Sequence, residues 1–118
     1  MLAVINKSKG TVLADKAELA RSFFQRLKGL MFRKKIDSGF GMIFYHCSSI
    51  HTFFMRFDID VIFLDKTNRI VKLYKRFSPC KISSIVLNSY VTIEIPAGVI
   101  EKTSTQLGDI LEIKHASV

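Results

Sequence analysis

The stretch Ile50-His-Thr-Phe-Phe-Met-Arg-Phe-Asp-Ile-Asp-Val-Ile-Phe-Leu-Asp65 decides the fold. Asp60 and Asp65 bracket the apolar run Val61 to Leu64, and an extended run of this kind places large side chains on both of its sides. It predicts the central strand of a sheet that is covered on each face. Because side chains alternate, Asp60, Ile62 and Leu64 share one face, and Val61, Phe63 and Asp65 share the other. Asp60 thus opens a strand beside two large aliphatics, where a carboxylate must find hydrogen-bond donors or be pushed toward its neutral form. Upstream of a bend at Arg56 to Asp58, His51, Phe53 and Met55 lie opposite Ile50, Thr52 and Phe54.

On the N-terminal side, Leu2 to Asn6 and Thr11 to Ala14 are short β-prone runs separated by a Lys-Ser-Lys-Gly turn, which predicts a hairpin. Asp15 has Glu18 three residues on, the spacing of reciprocal N-terminal capping, and Leu19, Phe23, Leu27 and Leu30 recur at helical intervals. These features predict one main helix over about 15–28, ended by Gly29. Met42 to Tyr45 is a further strand. On the C-terminal side, Ile70 to Lys75 returns as the second arm of a hairpin through the turn Lys66 to Arg69. Ile82 to Val86 is read as a short strand. Tyr90 to Ile95 alternates cleanly, with Val91, Ile93 and Ile95 opposite Tyr90, Thr92 and Glu94. Pro96-Ala97-Gly98 stops it, a short helical turn follows at about 99–104, and Ile110 to Lys114 forms a last strand. The fold expected is a β-rich α+β domain, a mostly antiparallel or mixed sheet curled toward a barrel, with one main helix.

Composition narrows the function classes. A chain of 118 residues, 48% hydrophobic, suits one domain over 1–118 that needs neither disulfide nor metal to fold. No apolar run approaches the roughly 18 residues of a membrane span, and the start lacks the marks of a signal peptide, so a cytoplasmic location is expected. Cys47 and Cys80 stand in no paired motif and read as reduced thiols. The net charge of +8 suits acidic partners by general electrostatics, a small anionic ligand, an acidic protein, nucleic acid or anionic lipid heads, but the reading it favours is a merely solvated basic face. Nucleic acid is disfavoured, because no helix-turn-helix, zinc finger or RNA-recognition signature accompanies the charge.

Gly29-Leu30-Met31-Phe32-Arg33, Gly41-Met42-Ile43-Phe44, the passage from His51 to Asp65, Ile93-Glu94-Ile95-Pro96-Ala97-Gly98 and Leu107-Gly108-Asp109 together resemble the successive motifs of the domain-of-unknown-function 192 family. The likeness covers nearly the whole chain. It implies a compact β-rich fold of about this length and brings no established activity, cofactor or substrate. Asp58 stands where the family pattern has proline, which leaves Asp60 as the carboxylate matching the motif.

No complete catalytic or cofactor motif is present, so no cofactor or metal is expected. The reading favoured by the residues is a non-catalytic ligand- or partner-binding module, its pocket lined by His51, Thr52, Met55, Asp60 and Glu94. The alternative is a hydrolase or metal-assisted enzyme with Asp60 as base and His51 as its partner. A third reading is a basic-surface interaction protein. Asp58 with Asp60, and His46 with Cys47 and His51, are weaker constellations, read as structural use of ordinary polar residues.

Overall fold

The computed structural model describes residues 1–20, 36–47, 49, 50 and 56–116. Seven strands make one mixed sheet: β1 (Leu2–Asn6), β2 (Thr11–Leu19), β3 (Phe40–Tyr45), β4 (Ile59–Leu64), β5 (Ile70–Phe77), β6 (Val91–Pro96) and β7 (Leu111–His115). Their order across the sheet is β5-β4-β6-β3-β2-β1-β7. Among the described residues, only the β2–β3 pair is parallel. The sheet curls into a half-barrel, and at one end its two edges meet. There Arg69 bridges Ile110, the Ile70 amide donates to the Asp109 carbonyl at 2.9 Å, and the Leu111 amide donates to the Asn68 carbonyl at 2.9 Å. One short helix, α1 (Val99–Lys102), follows β6.

The central position of β4 follows from its residues: all six are buried, as a strand apolar on both sides requires. Ile62 and Leu64 face the hollow of the half-barrel with Ile43, Ile93, Ile95 and Leu111. Ile59, Val61 and Phe63 face the opposite way and pack with Ile50, Tyr74 and Phe77. Met42 and Phe44 of β3 form an adjoining cluster with Ala20. The expected division of β4 into two faces is thus the division between two cores. The short helical turn and the strands β3, β5, β6 and β7 also lie where their patterns place them, within a residue or two at most ends.

Two expectations are corrected. The main helix does not begin at Asp15, because residues 11–19 belong to β2; its remaining span, 21–28, and Gly29 lie outside the described residues. The cause is a bulge. Between the pairs Leu2–Ala17 and Val4–Ala14, β2 carries one residue more than β1, and the amides of Asp15 and Lys16 both donate to the Gly39 carbonyl, at 3.1 and 2.9 Å. Asp15, which reads as a helix start, lies with Lys16 in the outward swelling of a strand, Glu18 pairs in register with Met42, and ladders to β1 and β3 override the local preference. Second, Ile82 to Val86 is not a strand. Ser83 occupies the backbone of Ile50 instead, its amide donating to the Ile50 carbonyl at 2.9 Å and its Oγ accepting from the Ile50 amide at 2.9 Å.

Small residues let the curl close. Gly41 of β3 sits where an added Cβ would lie 3.3 Å from the Ala14 Cβ, 3.4 Å from the Ile95 Cγ2 and 3.5 Å from the Ala17 Cβ. Those neighbours belong to β2 and β6 and have no flexible end that could yield. Gly41→Ala is therefore expected to destabilise the fold by about 1–3 kcal/mol, read as a lower urea midpoint with an unchanged slope. An unchanged midpoint would show that the sheet opens freely at this point.

Candidate functional site

Both carboxylates singled out by the pattern are buried, Asp60 to 1% exposure and Glu94 to 4%, but they do not meet. In β4 and β6, Asp60 pairs with Ile95, and Val61 pairs with Glu94. Directly opposed residues of an antiparallel ladder project to one face, so Asp60 points into the half-barrel and Glu94 points to its outer face.

Asp60 is saturated with backbone donors. Its Oδ1 accepts the Arg76 amide at 2.9 Å, and its Oδ2 accepts the amides of Gly98 at 3.1 Å and Ile100 at 2.8 Å. Each donor is made available by irregular backbone. Arg76 lies at φ 53° in a bulge of β5, where the pairing shifts between Ile59–Phe77 and Val61–Tyr74. Gly98, at φ 97°, turns the chain from β6 into α1. One buried carboxylate therefore ties β4, β5 and the entry to α1 together.

Glu94 has the opposite environment. Its cross-strand neighbours are Met42 on β3 and Val61 on β4, and Thr92 shares its side of β6. The Thr92 hydroxyl is already spent on the Cys47 carbonyl at 3.0 Å. Glu94 Oε1 has no hydrogen-bond partner among the described residues. Burial without compensation pushes its carboxyl up to about 8, so at neutral pH the group is mostly a neutral carboxylic acid, able to donate as well as accept.

The other expected site residues divide as follows. His51, Thr52 and Met55 lie outside the described residues. Arg56 and Asp58 are exposed, so Asp58 does not share the burial of Asp60. His46 packs edge-on against Tyr90 with ring centroids 4.6 Å apart, and the Cys47 thiol donates to the Ser49 carbonyl at 3.0 Å. Cys47 and Cys80 are free thiols. Among the described residues, no three His, Cys, Asp or Glu side chains converge as a metal cluster.

A third buried acid escaped the sequence reading. Asp109 accepts from Asn6 Nδ2 at 3.0 Å, from Lys9 Nζ at 2.9 Å and from the Gln106 amide at 2.9 Å. Burial opposes its charge, but the Asn6, Lys9 and Gln106 hydrogen bonds and the nearby ammonium hold its carboxyl below the usual range. Asn6 also donates to Thr105 Oγ1 at 3.1 Å, so this network staples β1 to the turn before β7. The available signal was Asn6 itself, a polar residue at the end of a buried strand.

The roles of the first two acids separate on removal. Asp60→Ala leaves three backbone donors unmatched and is expected to destabilise the fold by about 3–5 kcal/mol in urea unfolding. Asp60→Asn, which keeps an acceptor, should lose less. A loss under about 1 kcal/mol for the alanine variant would contradict the structural role.

Comparison with known proteins agrees with this architecture. The family model described as "Uncharacterized ACR, COG1430" (DUF192) matches residues 4–113. A UPF0127 protein of Thermococcus sibiricus is 36% identical over 115 residues, covering 92% of this chain and 73% of that protein. A crystallised protein of unknown function from Novosphingobium aromaticivorans superposes with a TM-score of 0.80 at 23% identity, covering 94% of this chain and 82% of that one. A Sinorhizobium meliloti protein named "putative transcription regulator" superposes with a TM-score of 0.76 at 24% identity, covering 94% and 90%. At such identities the two structures carry the fold alone. No helix among the described residues is long and apolar enough to cross a membrane. The chain belongs to the DUF192 family, whose function is uncharacterised.

Proposed function

We propose that this protein is a non-catalytic binding module whose ligand engages the Glu94 carboxyl on the outer face of the sheet, between Met42 and Val61. The observation that carries this reading is the buried Oε1 without a partner. A polar oxygen left unmatched in an apolar setting costs about 1–3 kcal/mol, and a leucine there would avoid that penalty. A fold that retains the carboxyl gives up stability, as binding sites commonly do. A neutral carboxylic acid donates to a carbonyl, a hydroxyl or an anionic oxygen, whereas a carboxylate repels the last. The ligand class is thus a small, largely apolar molecule bearing such an acceptor, an anion included, and the +8 charge steers anions toward it.

His51, Thr52 and Met55 stand in the proposal on sequence grounds. Asp60 contributes by holding the frame, its two oxygens being occupied by amides. Binding is favoured over hydrolysis because Asp60, the base that hydrolysis would need, has both oxygens accepting backbone amides. A cytoplasmic location is part of the proposal and suits two free thiols.

Native mass spectrometry of protein purified from its own source tests the proposal: wild type is expected to retain an added mass that Glu94→Leu lacks. The same variant should be more stable by about 1–3 kcal/mol. Added mass retained equally by the variant, or a loss of stability, overturns the role of Glu94.

A pH dependence follows as well. Below the carboxyl's ordinary value of 4.5, folded and unfolded chains both hold the proton; between there and about 8 only the folded chain keeps it. Stability therefore falls as pH rises through that window, by at most about 1.4 kcal/mol per pH unit from this group. Glu94→Gln should remove that slope from urea titrations at a series of pH values. A slope shared by the variant would assign the dependence to other groups.

A further inference from the structure

Between β5 and β6 the chain crosses the outer flank of the sheet and presents three large aliphatic side chains to water: Ile82 at 64%, Ile85 at 69% and Leu87 at 90% exposure. They do not belong to a loose loop. Ser83 is bonded in both directions to the backbone of Ile50. The Tyr74 hydroxyl accepts the Ser84 amide at 3.2 Å and lies 2.9 Å from the Ser84 hydroxyl. Val86 packs inward against the cluster of Ile50, Ile59, Val61 and Phe63, and the Ser89 hydroxyl donates to the Cys47 carbonyl at 2.6 Å. Polar and medium-sized residues hold the segment down, and the aliphatics stand outward on it.

The surroundings are basic. From residue 65 to residue 90 the chain carries Lys66, Arg69, Lys72, Lys75, Arg76 and Lys81 against the single carboxylate Asp65. Arg69 is turned to the Gly108 carbonyl, and Arg76 lies against Gly98. Lys66, by contrast, shares an open cleft of about 400 Å³ with Leu87, Asn88 and Tyr90. Lys72 lies 5.3 Å from the ring of Tyr74, the residue whose hydroxyl holds Ser84. Asp65, on the cleft's other wall, has one oxygen committed to the Thr67 hydroxyl and amide and the Arg69 amide.

We infer that this segment is a docking surface for an anionic lipid bilayer: Ile82, Ile85 and Leu87 enter the headgroup–acyl boundary while Lys66 and Lys72 meet lipid phosphates. Aliphatic side chains beside lysines suit that boundary, where apolar burial and attraction to anionic lipid add. A protein partner is less well matched, because the three outward aliphatics are not the Trp, Tyr or Arg anchors that concentrate binding energy at protein interfaces, and the cleft's Tyr90 is packed against Tyr45 and His46. The attachment is peripheral, and the side chains it uses are not those of the Glu94 site.

Sedimentation of the full chain with vesicles tests this, using phosphatidylcholine alone and phosphatidylcholine with phosphatidylglycerol at roughly three to one. Binding to the anionic vesicles is expected at least about tenfold above that to phosphatidylcholine, weakening with salt. Ile85→Ser combined with Leu87→Ser should reduce it by about tenfold or more without lowering the thermal midpoint, since both side chains are already in water. Lys66→Gln with Lys72→Gln should reduce it about fivefold and flatten the salt dependence. Equal binding to both vesicle types, or serine variants that bind as wild type does, overturns the assignment. So does concentration-dependent self-association that the serine variants abolish in a chain that binds no vesicle, because the segment would then join copies of this protein.

Discussion

Strand β4 has no face open to water, and this creates a difficulty that its apolar residues cannot resolve. Where one face of a strand is polar, slipping by one residue buries charge and exposes aliphatics, so the pattern itself fixes the register. In β4 a slip would exchange Val61 and Phe63 for Ile62 and Leu64 and bury about as much oil. Asp60 removes the ambiguity. Its oxygens fit three amides contributed by a bulge in β5 and by the turn into α1, and no other residue of the strand could use them. A slipped strand would strand the carboxylate among aliphatics and leave the amides bare, a double loss. The polar group thus supplies the specificity, and the apolar residues on both sides supply the burial.

What was legible in the chain was whatever depends on alternation. The sidedness of β4 and β6 follows from geometry that every strand obeys, so the separation of Ile62 and Leu64 from Val61 and Phe63 could be read without coordinates. So could the demand on Asp60 to find donors or give up its charge. Their source could not, because a backbone amide has no identity in a sequence and becomes a donor only where the ladder is interrupted, here at Arg76 and Gly98. The misreading at Asp15 has the same origin. An acid with a glutamate three residues on satisfies amides at a helix start, but in β2 the two amides of a bulge converge on Gly39, in the turn that leads into β3. The Asn6–Asp109 staple joins residues 103 apart, a pairing that no local pattern announces.

The three buried acids form a graded series. Asp60 receives only backbone donors and Asp109 receives side-chain, ammonium and backbone donors. Glu94 Oε1 receives none among the described residues. All lie on or beside the same sheet, but Asp109 sits nearer the surface than Glu94. Depth and the supply of donors act together: hydrogen bonds and the Lys9 ammonium keep Asp109 ionised, while deep burial without donors keeps Glu94 protonated. Buried polar groups in folded proteins are overwhelmingly matched, which makes the unmatched one the informative member of the series.

The lysines of β5 admit a simpler explanation, which the neighbouring residues test. As an edge strand β5 invites pairing with another chain, and exposed lysines are a common means of discouraging it. Lys72 and Lys75 would serve that purpose alone. Ile82, Ile85 and Leu87 would undo it, because aliphatics beside a sheet edge restore the tendency to associate that the charges suppress. Protection against aggregation therefore accounts for the charge and leaves the apolar side chains as a defect. A surface that is itself both greasy at its boundary and negative above it accounts for both, and explains why the segment is pinned by Ser83, Ser84 and Ser89 with its aliphatics outward rather than folded in beside Val86.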